Sequence, residues 1–368
     1  MKMTPGLDEV ARHFCFAGRC IEAAPYGTGH INRTYVTWCA TPEGGSRRYL
    51  LQSINHNIFR DPAALMENVK RVTRHLREKI VAAGGDPTRE TLNLVPASNG
   101  ASFHRDAAGN YWRAYLFIEG AQAYEMATSL QHVYNAGKAF GDFQRLLADF
   151  PAGALHEVLP DFHNTPQRFA TFLETVARDP ANRAAGVREE IKFVEQRAAE
   201  TTTLVNLLDQ GRLPLRVTHN DAKFSNVLMD DVTGEGLCVI DLDTVMPGSA
   251  LYDFGDAVRA GTALAAEDEP DFTRAGMSLE TFEALAAGYL DAARDFLTPT
   301  ELDYLPFSAR LITLEQAIRF LNDYVNGDIY YKIHRPLHNL DRTRTQIQML
   351  RDMEEKFDRM VAIVARYR

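Results

Sequence analysis

Hydrophobic and polar residues alternate in short runs through the first third of the chain and then recur at helical spacing. Segments 20–26, 31–39 and 48–53 are typical of strands, because apolar and β-branched residues stand between turn sequences rich in glycine and proline. A long amphipathic helix is predicted from about Pro62, and an apolar strand over 112–118. The first third should therefore contain about five strands, with one long helix inserted after the third.

Helical periodicity dominates the rest of the chain. Helices are predicted from about residues 129 and 165 and over 187–208, 279–296, 300–324 and 342–366. A strand-turn-strand stretch, 216–241, interrupts them. At the start of the chain, Thr4 and Pro5 fit the N-cap and the first turn of a short initial helix.

The two patterns together predict an α+β chain with two lobes. Residues 1–120 are expected to form a small, antiparallel β-rich N-lobe, and residues 121–368 a large, mostly helical C-lobe. The junction is predicted near Glu119 and Gly120. A length of 368 residues agrees with two domains.

Composition and charge narrow the class of protein. Forty basic residues against forty-nine acidic ones give a net charge of −9. This balance argues against nucleic acid or an anionic membrane as the main partner, because both require a basic surface. We expect a cytoplasmic protein, because the N-terminus has no apolar signal segment and no apolar run reaches the about 18 residues of a membrane helix. The oligomeric state is left open.

The cysteines do not have the spacing of a metal site. The four positions are Cys15, Cys20, Cys39 and Cys238. They do not form two C-x-x-C pairs, or one such pair with spaced histidines. We therefore expect reduced thiols in the core.

The stretch 217–229, VTHNDAKFSNVLM, carries the strongest chemical signal. His219, Asp221 and Asn226 have the H-x-D-x4-N spacing of a kinase catalytic loop. In that chemistry an aspartate accepts the proton of the attacking hydroxyl, and an asparagine one loop-length later reaches a Mg²⁺ ion. Lys223 follows the aspartate closely enough to stabilise the charge of the transferring phosphoryl group. We predict Asp221, Lys223 and Asn226 as catalytic residues.

A predicted hairpin follows this motif and ends on Asp241-Leu242-Asp243, which returns a carboxylate to the catalytic loop. Hard divalent cations prefer oxygen ligands, so Asp241 is predicted as the main Mg²⁺ ligand, together with Asn226. Asp243 is predicted as a second acid that faces either the metal or the substrate. Asp253 begins a D-F-G tripeptide, but it comes after the hairpin strand has ended. We expect it to be a structural acid that caps a helix or holds the catalytic loop.

Two segments of the N-lobe are candidates for binding a nucleotide. Gly27, Thr28 and Gly29 join two predicted strands, where backbone N–H groups would cover a triphosphate. A plain hairpin turn explains these glycines equally well. Phe117 and Glu119 follow the last strand of the lobe, where an adenine would meet the backbone groups of a hinge.

These motifs together resemble the aminoglycoside phosphotransferase and choline kinase family over nearly the whole chain. Within that family, the sequence looks closest to the N-acetylhexosamine 1-kinases. The matching stretches are 26–32 (YGTGHIN), 216–221 (RVTHND), 240–249 (IDLDTVMPGS), 319–324 (RFLNDY), 326–330 (NGDIY) and 341–347 (DRTRTQI). The resemblance implies a protein-kinase-like fold, in which the N-lobe binds the nucleotide and the C-lobe carries the catalytic loop and the substrate site.

The resemblance also implies ATP and Mg²⁺ as cofactors. It implies an N-acetylhexosamine as the substrate, either N-acetylglucosamine or N-acetylgalactosamine. Asp221 would act as base toward the sugar 1-hydroxyl, which is more acidic than an ordinary alcohol. Sugar contacts are expected from Arg319 and Tyr324, and additionally from Asp243 and His30. The alternative for Arg319 and Tyr324 is a helix face that packs against its neighbours.

The third strand departs from the usual kinase pattern. Kinases usually place a lysine there, which holds the α- and β-phosphates of the nucleotide. Here the strand reads RYLLQ over 48–52, and Gln52 lies where the lysine would be. Glutamine donates a hydrogen bond but carries no charge, so phosphate binding should depend more on Mg²⁺ and on other donors. Glu67, the candidate helix acid, lacks its usual partner.

Two alternatives stay open from the sequence. The first keeps the fold and changes the acceptor to choline, an amino alcohol, an aminoglycoside or another sugar. A cationic acceptor would need an aromatic or acidic cage, for which Tyr324, Tyr330, Tyr331 and Asp328 are compatible residues. The second is a nucleotide-binding pseudokinase that acts through partners. The missing lysine supports it, and the intact catalytic motif opposes it.

Overall fold

The computed structural model describes residues 5–27 and 31–368. Residues with predicted roles that lie outside these ranges are Thr4, Thr28, Gly29 and His30. Two lobes follow one another along the described chain, as the sequence pattern predicts. The confirmed fold class is α+β, with an antiparallel N-lobe sheet and a helical C-lobe.

The N-lobe is an antiparallel sheet with one long helix. Its elements are α1 (Pro5–Ala11), β1 (Arg19–Pro25), β2 (Arg33–Ala40), β3 (Ser46–Ile54), α2 (Pro62–Ala82), β4 (Leu94–Val95), β5 (His104–Arg105) and β6 (Tyr111–Leu116). The strand order is β1-β2-β3-β6-β4, and β5 pairs with β6. The sheet has six strands rather than about five, because the two-residue strands β4 and β5 both pair with β6. The long helix does follow the third strand.

Helix α2 begins where the sequence provides a cap. The Asp61 carboxylate accepts hydrogen bonds from the backbone N–H groups of Ala63 (3.1 Å) and Ala64 (3.0 Å), and Pro62 occupies the first turn. The residues of α2 that enter the main hydrophobic core are Leu65, Met66, Val69, Val72, Leu76 and Ile80. The same hydrophobic core continues into the C-lobe, so apolar packing joins the two lobes.

In the C-lobe, six helices and five short strands precede the last four helices. They are β7 (Ala121–Ala123), α3 (Leu130–Leu146), α4 (Thr165–Arg178), α5 (Arg188–Glu195), α6 (Ala198–Thr201), α7 (Thr203–Asp209), β8 (Arg216–Thr218), β9 (Val227–Asp230), β10 (Gly236–Val239), β11 (Met246–Gly248) and α8 (Ala250–Gly261). The last four helices are α9 (Leu279–Ala293), α10 (Pro299–Val325), α11 (His338–Glu355) and α12 (Phe357–Arg366). Among the described residues, no helix combines the length and the hydrophobicity that a bilayer span requires.

Two small sheets place the functional loops side by side. Strand β8 pairs with β11, and β9 pairs with both β10 and β7. The loop from β8 to β9 carries the H-x-D-x4-N motif, and the turn from β10 to β11 carries Asp241 and Asp243. Because both connections run between the same two sheets, the motif and the acidic turn lie next to each other.

Helices α3 and α9 approach closely at two glycines. A Cβ atom at Gly137 would lie 2.4 Å from the Leu285 carbonyl oxygen, and one at Gly288 would lie 2.0 Å from the Tyr134 carbonyl oxygen. No side chain fits at such distances, so both positions require glycine. This contact fixes α3, which supports β10 and contributes a side chain to the catalytic framework.

Two predicted helices are each divided in the structure. The helix predicted over 187–208 is α5, α6 and α7, and it is interrupted at residues 196–197 and again at Thr202, beside Thr201. Their hydroxyls bond the carbonyls of Ala198 (2.6 Å) and Ala199 (3.3 Å), which competes with helical hydrogen bonds. The helix predicted over 342–366 is α11, which begins four residues earlier, and α12.

The expectation of reduced cysteines is wrong for one pair. Cys20 and Cys39 are directly opposed in the β1–β2 register and form a disulfide. The spacing of the two cysteines along the chain does not predict this disulfide, because the pairing depends on the register of β1 and β2. Cys15 and Cys238 are free thiols, but only Cys238 is in the core, because Cys15 is exposed.

Candidate active site

The catalytic loop is held by the buried carboxylate of Asp253 on α8. This carboxylate accepts hydrogen bonds from the backbone N–H groups of His219 (2.8 Å) and Asn220 (2.7 Å). The Gln144 amide on α3 donates to it as well. Ser249, rather than Asp253, is the N-cap of α8. The carboxylate therefore holds the catalytic loop, which is the second of the two structural roles expected for it.

His219 is fully buried and has a defined tautomer. Its Nε2 lies 2.8 Å from the Ile240 carbonyl oxygen, and its Nδ1 lies 3.3 Å from the backbone nitrogen of Asp221. A carbonyl oxygen only accepts and a backbone N–H only donates, so in these two contacts Nε2 is the donor and Nδ1 the acceptor. The histidine thus ties the catalytic loop to the end of β10 and takes a structural role.

The three predicted catalytic residues lie within hydrogen-bond distance of one another. Lys223 Nζ is 2.9 Å from Asp221 Oδ2, and Asn226 Nδ2 donates to the same oxygen (3.0 Å) and to the Asp221 carbonyl (2.8 Å). Burial opposes ionisation, but the Lys223 charge and these hydrogen bonds lower the pKa of Asp221 below its usual value. The result is an ionised, partly exposed carboxylate that is able to accept a proton from a hydroxyl.

Asp241 lies directly after β10, in the left-handed backbone region at φ 60°. Non-glycine residues rarely adopt this conformation, which recurs at functional sites. The residue is open to solvent on one side, while protein surrounds it on the others. Burial, followed by the charges of Asp243 and Asp221, raises the pKa of Asp241 to about 6. A divalent cation would relieve the repulsion among these carboxylates.

The donor set fits a Mg²⁺ ion that is shared with nucleotide phosphates. Within the described ranges, no group of three or more His, Cys, Asp and Glu side chains is arranged to hold a metal ion alone. Mg²⁺ is usually bound by one or two carboxylates together with phosphate oxygens and water. Asn226 bonds Asp221 through its amide nitrogen, so its Oδ1 is the atom that would bind a cation. Asp241 and Asn226 therefore suit a metal–nucleotide complex.

Asp243 is held by two side chains of the N-lobe. One of its oxygens pairs with the Arg113 guanidinium on β6, and the other accepts a hydrogen bond from Asn32 Nδ2 at 2.6 Å. Arg113 is 1% exposed and Asp243 is 4% exposed. The predicted second acid therefore joins the two lobes beside the catalytic loop, and both of its oxygens have protein donors.

Gln52 lies against the same ion pair. Its Oε1 accepts a hydrogen bond from Arg113 Nε (2.9 Å), and its Nε2 donates to Thr34 Oγ1 (2.9 Å). Glu67 of α2 pairs instead with His156 (2.8 Å) and with an arginine one turn along its own helix. No ion pair links β3 to α2 at positions 52 and 67.

The turn predicted to cover a triphosphate is described only at its first residue. Gly27 has φ 78°, in the left-handed region that favours glycine, and a Cβ atom there would meet open space. Thr28, Gly29 and His30 lie outside the described residues.

The predicted hinge segment is partly occupied by protein contacts. The Arg48 guanidinium stacks on the Phe117 ring at 3.9 Å and bonds the Glu119 carboxylate at 2.9 Å. Arg89 donates to the Glu119 carbonyl at 3.1 Å. The Phe117 ring is 9% exposed, and the edge-on ring of Tyr26 lies 5.6 Å from it. The Glu119 backbone carbonyl is already bonded by Arg89.

Arg319 on α10 is surrounded by aromatic rings. Its guanidinium lies 5.1 Å from the Phe162 ring centre and 5.8 Å from that of Tyr331, and it bonds Gln316 (3.2 Å). Burial opposes its charge, but Tyr331 and Glu315 raise the pKa of Arg319 above its usual value. Arg319 therefore stays a cation in a partly enclosed site.

A line of charged side chains connects Arg319 with the catalytic loop. Arg259 acts electrostatically on Arg319 and forms an ion pair with Asp256 at 2.9 Å. Burial opposes the charge of Lys223, whose pKa is raised chiefly by Asp221 and also by Asp256. Arg319 and Lys223 therefore each lie near one member of the Arg259–Asp256 ion pair.

Tyr324 lies on a different face of α10 from Arg319, because residues five positions apart are rotated by roughly 140° on a helix. It is 8% exposed and packs in a hydrophobic cluster of the C-lobe. The Arg183 guanidinium covers its ring at 4.7 Å and also pairs with Asp328 at 2.5 Å. These contacts agree with the packing alternative for Tyr324.

The sequence interpretation missed Arg113 and Asn32 as parts of the site. Both act through Asp243, which is far away along the chain. A signal was present for one of them, because Arg113 interrupts a strand that is otherwise apolar and buried. An arginine in such a strand indicates a buried ionic partner.

Comparisons with known proteins show the family and the fold of this chain. The model of the phosphotransferase enzyme family (APH) matches residues 22–303. An aminoglycoside phosphotransferase from Alicyclobacillus acidocaldarius is similar in fold, with a TM-score of 0.61, 16% identity, and coverage of 100% of this chain and 96% of the other. A choline kinase from Cryptosporidium parvum has a TM-score of 0.56, 14% identity, and coverage of 97% of this chain and 94% of the other.

A third structure shows a ligand complex of a similar fold. It is the amicoumacin kinase hAmiN in complex with AMP-PNP, Ca²⁺ and amicoumacin, with a TM-score of 0.57, 15% identity, and coverage of 89% of this chain and 87% of the other. At these identities the similarity shows the fold alone. The family model covers well over half of the chain, and so this protein belongs to the phosphotransferase enzyme family.

Proposed function

We propose that this phosphotransferase transfers the γ-phosphate of ATP, with Mg²⁺, to the anomeric hydroxyl of an N-acetylhexosamine and produces the sugar 1-phosphate. The observation that carries the proposal is the ionised Asp221, held by Lys223 and Asn226 and facing the turn that carries Asp241. This arrangement has the parts that phosphoryl transfer needs, namely a base, a cation and metal ligands.

Each residue has one task in the proposed reaction. Asp221 orients the sugar 1-hydroxyl and accepts its proton as the bond to phosphorus forms. Lys223 stabilises negative charge on the transferring group, and Asp253 holds the loop that carries both residues. Asp241 and Asn226 would hold Mg²⁺, which supplies charge neutralisation on the phosphates when bound. Catalysis is then mainly positioning and electrostatic stabilisation.

The nucleotide assignment is supported by the fold and by the metal ligands. The amicoumacin kinase of similar fold binds AMP-PNP and Ca²⁺. In this chain, the pair of Asp241 and Asn226 offers a place for a metal-bound phosphate.

The assignment of a sugar acceptor is supported by the contacts of three residues that a cationic acceptor would need. Tyr324, Tyr331 and Asp328 already contact arginines of the protein. A choline-like acceptor needs aromatic faces or carboxylates that are free to surround it. Here the cation on the Tyr331 ring is Arg319 itself, while Arg183 covers Tyr324 and pairs with Asp328. A neutral sugar with hydroxyl and amide acceptors suits a site that offers an arginine.

The test is ADP release with Mg·ATP and a panel of N-acetylglucosamine, N-acetylgalactosamine, glucose, galactose, choline and kanamycin. We expect turnover with the two N-acetylated sugars and a product whose phosphate is attached at carbon 1, measured by ³¹P and ¹H NMR. Turnover confined to choline or kanamycin would contradict the sugar assignment but keep the chemistry. ATP binding without transfer to any acceptor would favour a pseudokinase.

A further inference from the structure

Three polar side chains form a row across adjacent strands of the N-lobe sheet. Thr34 on β2 is directly opposed to Gln52 on β3, and Gln52 is directly opposed to Arg113 on β6. Directly opposed residues of antiparallel strands project from the same face, about 5 Å apart. The hydrogen bonds from Gln52 to Thr34 and from Arg113 to Gln52, each 2.9 Å, confirm the shared face.

Arg113 is a costly residue for a strand of this kind. Its neighbours Trp112 and Ala114 are buried and apolar, and Arg113 itself is 1% exposed. A buried guanidinium destabilises a fold unless it is paired, and replacement of such pairs by apolar residues is often neutral or stabilising. Packing alone therefore does not explain a charge at this position.

The partner of Arg113 belongs to the catalytic side of the molecule. Arg113 pairs with Asp243, which lies two residues after Asp241. The Asp241 charge reaches the guanidinium as well, although its effect on the pKa of Arg113 is smaller than those of burial and Asp243. Helix α2 presents Met66 to this guanidinium, with the sulfur 3.9 Å from Nη1, while Glu67 is paired elsewhere.

We propose that Arg113 supplies, from the neighbouring strand, the positive charge that a lysine at position 52 would supply, and that this charge holds the triphosphate of the nucleotide. The inference rests on the proposed nucleotide site but not on the identity of the sugar. The guanidinium lies on the same face as Gln52, one strand away, and its longer side chain and several N–H donors suit phosphate oxygens. Asp243 and Gln52 keep it oriented.

The test compares the binding of ATP with that of adenosine, which lacks phosphates. Dissociation constants are measured by calorimetry without any acceptor, for the full chain and for Arg113→Met, Arg113→Lys and Arg113→Met with Gln52→Lys. We expect Arg113→Met to weaken ATP binding by about ten- to a hundredfold and to leave adenosine binding unchanged. The double variant should regain ATP affinity to within about threefold, because a lysine at position 52 restores charge to the same face. Arg47→Met on β3, an exposed arginine, is the matched control.

A structural role for Arg113 would give a different pattern. Equal weakening of ATP and adenosine binding in Arg113→Met, or unchanged ATP binding, would overturn the inference. If urea unfolding shows that Arg113→Met does not fold, the test depends on the double variant, Arg113→Met with Gln52→Lys. A folded double variant with the ATP-over-adenosine preference of the wild type supports the inference, and one that binds both equally contradicts it.

The failure of this inference is distinguishable from the failure of the proposed function. Absence of ATP binding by the wild-type protein would overturn both. A silent acceptor panel with ATP binding retained would overturn only the sugar assignment, and the comparison of Arg113 variants would still stand on its own.

Discussion

The two lobes hold their functional charges in different ways. In the C-lobe, Asp221, Lys223 and Asn226 lie in one loop and contact one another directly. In the N-lobe, Arg113 meets Asp243 across 130 residues of sequence. The comparison teaches that the chemistry at Asp221 requires a fixed spacing along the chain. A charge that faces phosphates requires only a given sheet face, which residues on two adjacent strands provide.

Apart from loss of the base Asp221, the largest effect should follow from breaking the metal side of the C-lobe arrangement. In Asp241→Asn, the metal loses its carboxylate ligand, so we expect kcat to fall by at least about a hundredfold. The Mg²⁺ concentration for half-maximal rate should rise as well. Titration of the rate with MgCl₂ measures both effects. An unchanged Mg²⁺ requirement would contradict the assignment of Asp241.

The framework of the catalytic loop should be the next most sensitive element. Asp253→Asn keeps one acceptor oxygen but turns an NH₂ group toward the other buried backbone N–H, and each of these two unsatisfied donors costs about 1–3 kcal/mol. We expect the free energy of unfolding to fall by about 2–4 kcal/mol, and kcat to fall at least about tenfold because the loop loses its support. Urea unfolding and steady-state rates measure these changes. Asp295→Asn, at a side chain 95% exposed, is the control and should change neither.

The acceptor side should respond more weakly than the catalytic loop. Arg319→Met should raise the KM for the sugar by about tenfold and leave the KM for ATP unchanged, since it removes hydrogen bonds to the acceptor. Tyr324→Phe keeps the buried ring and should change neither constant. Initial rates with each substrate varied in turn distinguish the two variants. Equal effects on both KM values in Arg319→Met would indicate a general disturbance of the fold.

The smallest effect concerns pH. Because the pKa of Asp241 is about 6, a proton competes with Mg²⁺ for this carboxylate at acid pH. The apparent Mg²⁺ affinity should be about fourfold lower at pH 5.5 than at pH 7.5. Without metal, the free energy of unfolding should instead rise as pH falls through about 6. The pKa of Asp241 is raised in the folded state, so protonation of this carboxylate stabilises the fold. Tm measured with and without MgCl₂ at the two pH values tests both statements. An increase in Tm on addition of MgCl₂ that is the same at both pH values would contradict them.

The sequence was sufficient for the parts that depend on local spacing. The H-x-D-x4-N motif predicted Asp221 and Asn226 together, and the hairpin after it predicted the return of Asp241, because both follow from a short stretch of chain. The alternation of strands and helices predicted the two-lobed α+β fold. The long helix α2 was predicted from its hydrophobic face and its proline at the first turn.

What the sequence did not reveal depends on register or on long-range packing. The disulfide of Cys20 and Cys39 and the row of Thr34, Gln52 and Arg113 exist only when the strands are aligned. The second break in the helix predicted over 187–208 lies at threonines whose hydroxyls bond the backbone, which helical periodicity does not report. For Tyr324, a matching sequence stretch said nothing about which helix face the ring occupies.

The most direct test of the central claim is phosphate transfer by the wild-type protein and by Asp221→Asn, with γ-labelled Mg·ATP and N-acetylglucosamine or N-acetylgalactosamine. The account predicts sugar 1-phosphate formation by the wild type and a fall in kcat of about 10²- to 10⁴-fold in the variant, with ATP binding retained. Transfer at an undiminished rate in Asp221→Asn would contradict the claim that this carboxylate is the base.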